Sequence, residues 1–149
     1  MKLETKNKSI ELVVKTRKII AISKVLKDDK FEDAFFKAVR DCNIEILAQI
    51  ILILAENGES INPFNGIDDV CDFLDEYIAE NKKNYSDIYF MITEVINEKG
   101  FFREKMTKKA LQERINDIMS SVNYEDIIKK SVEKVAEEAV TEEFKGYQA

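Results

Sequence analysis

The stretch IEILAQIILILA, residues 44–55, decides the fold, because ten of its twelve residues are apolar. A helix that is apolar nearly all round is one buried on all sides. Twelve residues fall well short of the roughly 20 needed to span a bilayer. The stretch therefore predicts the central helix of a bundle, with no membrane association. Asn43 stands where an N-cap is needed, and Glu56-Asn57-Gly58 supplies a C-terminal stop.

Toward the N-terminus the period changes from helical to alternating. Ile10, Leu12 and Val14 alternate with Glu11 and Val13, and Leu3 and Thr5 alternate with Lys2, Glu4 and Lys6. This predicts a two-stranded hairpin turning at Lys6-Asn7-Lys8-Ser9, with Asn7 suited to a left-handed conformation. Between hairpin and central helix the 3.6-residue period predicts two helices. One is capped by Thr16 and carries Ile19, Ile22, Val25 and Leu26. The other is opened by Asp28 and Asp29 and carries Phe31, Phe35, Val39 and Cys42, with Phe36 off the stripe and semi-exposed.

Toward the C-terminus, residues 59–65 with the sole proline, Pro63, form a loop. A fourth helix starts near Asn65, with Asp68 in a capping-box-like position, and its stripe is Val70, Phe73, Leu74, Tyr77 and Ile78. Ser86 is placed to cap a fifth, carrying Ile88, Met91, Ile92, Val95 and Ile96 and ending at Lys99-Gly100. Thr107 starts a sixth through Leu111, Ile115, Ile118 and Met119. Asn123 or Tyr124 begins a last one with Ile128, Val132, Val135 and Ala139 and many glutamates. The fold class expected is mainly α: a bundle of about six to seven helices with a short N-terminal β-hairpin. Residues 1–100 make the hairpin and helical core; 101–149 make a C-terminal helical extension suited to binding a partner. The core should include Leu12, Ile22, Phe35, Leu47, Ile51, Leu54, Phe73, Ile92 and Ile96.

Composition narrows the function. The 149 residues contain no His and no Trp, two Cys, four Gly and one Pro. Without imidazole, histidine general bases and histidine-built triads are excluded, along with most zinc sites. The four glycines cannot be arranged into a phosphate-binding loop. The net charge is −6, yet residues 1–30 carry nine Lys/Arg against four Asp/Glu. An acidic chain is poorly suited to phosphate backbones, whose affinity comes from clustered cations. The basic start reads better as a solvated face than as a nucleic-acid surface. Arg17, Lys18, Lys24 and Lys27 still allow a DNA-binding regulator as an alternative, although no second helix with Arg, Asn or Gln at its start follows them. Asp68, Asp69, Asp72, Asp75 and Glu76 can be drawn as a cation site. Acidic residues on the solvated side of a helix N-terminus are the plainer account. Cys42 and Cys71 are isolated, which suits reduced, small core residues in an intracellular setting. The expectation is no catalytic residue, no metal and no cofactor. The last helix, with its thin apolar stripe and acidic flanks, suits docking of an apolar helix. Phe101, Phe102, Val132, Val135 and Phe144 are the candidate partner-binding residues, the phenylalanines as exposed anchors.

The order of features carries a resemblance. A hairpin KLETKNKSIELVV leads into TRKIIAISKVL, then DDKFEDAFFKAVRDCNIEILAQIILILAENG and, after a loop, IDDVCDFLDEYIAE. Over roughly residues 1–98 this resembles the tail assembly chaperones of long-tailed bacteriophages and prophages of Gram-positive bacteria. The resemblance implies a non-enzymatic holdase that binds the helix-rich tape measure protein and recruits the major tail (tube) protein around it. It also implies action in the host cytoplasm and absence from the mature virion; an exposed apolar strip would in addition favour self-association into a homo-oligomer.

Overall fold

The computed structural model describes residues 1–117. The chain divides into two compact units, Met1–Leu111 and Gln112–Ala149. The first unit opens with strands β1 (Lys2–Glu4) and β2 (Ser9–Leu12), followed by helices α1 (Thr16–Leu26), α2 (Phe31–Asp41) and α3 (Ile44–Leu54). A two-residue strand β3 (Ala55–Glu56) follows directly, then α4 (Ile67–Asn81) and α5 (Tyr85–Glu98). A further helical stretch begins at residue 108, where the Thr107 hydroxyl accepts from the Ala110 amide at 3.1 Å. In the second unit that stretch continues to residue 117. The chain is thus mainly helical with a short antiparallel hairpin at its start.

Helix α3 is the centre, packed against α1, α4 and β2. Its run of Leu47, Ala48, Ile50, Ile51 and Leu54 is buried, and Asn43 caps it by accepting from the Ile46 amide at 3.0 Å. All nine residues expected in the core are buried. The hairpin register pairs Leu3 with Ile10, and both side chains, with Leu12, turn inward.

Local chemistry departs from expectation at several ends. The hairpin turn is held by the Thr5 hydroxyl, which accepts from the amides of Asn7 and Lys8. Asn7 is absent from the positive-φ residues, so no left-handed asparagine is needed. Thr16 is the first residue of α1, and Lys15 occupies the cap without a side-chain bond. Asp28 accepts from the Lys30 amide one turn ahead of α2, but Lys30 holds the cap position. Gly66 precedes α4, and Asp69 rather than Asp68 reaches back to the Asn65 amide. Asn84, not Ser86, caps α5 through a full capping box with Asp87. Glu56-Asn57-Gly58 does not end α3 as a turn: Ala55 is already extended, and Ala55–Glu56 pair with Leu12 and Glu11 of β2.

The candidate anchor Phe102 is buried, 5% exposed, which corrects its assignment as an exposed partner contact. Its ring lies 5.1 Å from that of Phe36 and within 6.4 Å of those of Phe31 and Phe35. Phe36 is buried as well, so the phenylalanines of α2 form one aromatic cluster closed by Phe102. The segment carrying Phe102 is tied down on both sides. The Arg103 amide donates to Glu32 at 2.8 Å, and Asn97 exchanges two hydrogen bonds of 2.9 Å with the Met106 backbone. These contacts tie the Phe102–Met106 segment to α2 and α5 within the first unit.

Candidate partner-binding groove

Helix α4 sorts its charges by face. Its fifteen residues include six carboxylates and no Lys or Arg. Asp69, Glu76 and Glu80, at i, i+7 and i+11, share one face, and it is turned to the hairpin and the preceding loop. Glu80 accepts from the Lys6 amide and Glu76 from the Asn7 side chain, each at 2.9 Å. The Lys8 ammonium sits 3.9 Å from Asp69, bonds the Pro63 carbonyl and lies over the Phe64 ring. Asp68, Asp72 and Asp75, at i, i+4 and i+7, form a second ridge that is exposed. Among the described residues no Lys or Arg pairs with any of these three.

Beside that ridge α3 and α4 leave an apolar groove of about 370 Å³, closed at one end by the start of α5. Ala48 and Leu74 form its buried floor, and Ile44, Ile67, Cys71 and the half-buried Tyr85 stand around it. Ile44 is 49% exposed and Ile67 38%, although both are large aliphatic side chains. Among the described residues, the charged side chains lining the groove are Glu45 and Asp75. The sequence missed this surface because Ile44 reads as part of a buried run and Ile67 precedes the stripe assigned to α4. Cys71 belongs to the wall: it is exposed, and Cys42 is half-buried at the end of α2 with its sulfur 3.5 Å from the Ser86 hydroxyl. Neither thiol is the buried core residue that isolation in the sequence suggested.

Phe101 is half-buried, and Val132, Val135 and Phe144 lie outside the described residues. Among the described residues no group of three or more acidic or cysteine side chains is placed to hold a metal ion, and no helix is long and apolar enough to cross a membrane.

The basic N-terminal segment is partly consumed by internal pairing. Lys18 lies 2.6 Å and Lys15 3.1 Å from the buried Glu56 carboxylate, and Lys18 also bonds the Leu54 carbonyl at the end of α3. The hydrogen bonds from Lys18 and then Lys15 hold the Glu56 carboxyl below its ordinary range, against the opposing pull of burial. At the N-terminal end of α3, the Tyr89 hydroxyl donates to the Asn43 carbonyl. Burial foremost, with Cys42 and Asp41 nearby, pushes its ionisation well above the ordinary tyrosine value.

No family model, curated protein or solved structure matches this chain.

Proposed function

We propose that this chain is a non-enzymatic tail assembly chaperone of a long-tailed bacteriophage or prophage. In this reading it binds helical segments of the tape measure protein and helps recruit tail tube protein. It acts in the host cytoplasm and leaves the finished virion. The observation that supports this reading most is the α3–α4 groove, where exposed Ile44 and Ile67 flank an apolar floor beside carboxylates that have no cationic partner among the described residues. An apolar groove between two helices accepts one face of an amphipathic helix. The reading rests equally on the order of hairpin, helices and loop that resembles the family.

A groove this small gives a weak contact by itself, since stable interfaces bury on the order of 1,000 Å² or more. Weak contacts become effective when several copies of the chaperone meet several segments of one long partner. Self-association is therefore part of the proposal. The acidic surface opposes non-specific aggregation of the loaded chaperone.

The DNA-binding alternative is less well supported, because Lys8, Lys15 and Lys18 face acidic partners inside the molecule. The two readings separate in one experiment: co-expression with the tape measure protein from the same tail-assembly genes, followed by pull-down and a solubility assay. The chaperone reading expects the partner to be insoluble alone, soluble with this chain, and co-purified with it. Failure on all three counts, with DNA binding that weakens steeply in salt, would favour the regulator.

A further inference from the structure

We infer that the α3–α4 groove takes an amphipathic helix whose apolar stripe is flanked by lysine or arginine. This deepens the chaperone reading and rests on it, because it specifies the kind of helical segment that the groove selects. Helix α4 divides its charge between two faces. The face toward the hairpin has its carboxylates engaged by Lys6, Asn7 and Lys8. Among the described residues the ridge beside the groove carries Asp68, Asp72 and Asp75 without a cation, and Glu45 stands across from Asp75 on α3.

Glu45 and Asp75 on the lining, with Asp68 and Asp72 further along the exposed ridge, have no counter-charge among the described residues and raise the local negative potential. That potential favours a cationic partner and disfavours an anionic one. Each exposed pair contributes little. The apolar floor supplies attraction, and the rim sets which helices are accepted. The chain's own residues 118–149 carry seven acidic against four basic side chains, the same sign as the rim. The complementary charge is thus sought in a separate partner.

The test uses the full chain and two labelled synthetic helical peptides with an identical leucine and alanine stripe, one flanked by lysines and the other by glutamates. Binding is followed by fluorescence anisotropy at low and high salt. The lysine peptide is expected to bind about tenfold more tightly than the glutamate peptide at low salt, with the gap closing as salt screens the rim. Combined Asp68→Asn, Asp72→Asn and Asp75→Asn should remove most of that preference. These positions are exposed and the changes nearly isosteric, so folding is not at issue. Ile44→Ser with Ile67→Ser should weaken both peptides.

Equal binding of the two peptides would overturn the charge selection and leave the chaperone reading intact. Binding untouched by the Ile44 and Ile67 changes would overturn the groove as the site. A dimer dispersed by those same changes would assign the groove to a second copy of the chain and likewise overturn the inference. Failure of the chaperone reading itself would appear separately, as a tape measure protein that stays insoluble on co-expression.

Discussion

At the scale of single residues, two buried polar contacts carry consequences that can be measured. Glu56 is held ionised by Lys18 and Lys15, with its carboxyl below the ordinary value of 4.5. A depressed carboxyl stabilises the fold above its unfolded value, and that contribution disappears as pH falls through the folded value. Glu56→Gln is therefore expected to be less stable than the parent at neutral pH, and the gap should close below pH 4.5. Denaturant titrations at several pH values check this. Tyr89 works in the opposite sense. Its raised ionisation keeps the hydroxyl protonated, so its contribution persists up to the ordinary value of about 10 and fades in stronger alkali. Tyr89→Phe should cost about 1 kcal/mol at neutral pH in chemical denaturation, because the Asn43 carbonyl loses one of its two donors and keeps only the Leu47 amide. Neither contact was legible in the sequence. Lys18 looks like one more cation in a basic stretch, and Glu56 looks like part of a polar stop. Their pairing exists only because β3 brings the end of α3 beside the start of α1.

At the scale of elements, the long-range pattern was readable where one stretch carries its own signal. The apolar run of α3 and its Asn43 cap are local chemistry, as is the Leu3, Ile10, Leu12 alternation. The short strand β3 was not readable, since two residues acquire strand geometry only from pairing with β2. Cap positions slipped by one or two residues because several polar candidates stood together. At α5 the distinction is testable. Asn84→Ala should cost about 1 kcal/mol, whereas Ser86→Ala should change stability by less than about 0.5 kcal/mol. Phe102 marks the larger misreading: a phenylalanine after a helix-stopping glycine resembles a surface anchor until the α2 aromatics close around it. Truncation of this buried ring, Phe102→Ala, should cost about 3–5 kcal/mol by thermal or chemical unfolding. A loss below about 1 kcal/mol would return Phe102 to the surface.

At the scale of the whole molecule, α3 carries both the centre of the core and an exposed apolar surface. The core needs Leu47, Ile50, Ile51 and Leu54, and all are buried. Ile44, at the start of the same helix, is left half-exposed together with Ile67 of α4. The sequence raised the expectation of an apolar partner surface and pointed to the C-terminal segment through Val132, Val135 and Phe144. The groove was hidden because it depends on how α3, α4 and the first residue of α5 approach one another, which no periodicity encodes. Since Ile44 and Ile67 stand outside the core, replacing both by serine should move the unfolding midpoint little while disabling the partner surface. The most direct measurement is solubility of the tape measure protein on co-expression with the parent chain and, in parallel, with the Ile44→Ser, Ile67→Ser variant. The account expects the parent to keep the partner soluble and the equally folded variant to leave it in the pellet. A variant that protects the partner as well as the parent does, or a parent that gives no protection, would contradict it.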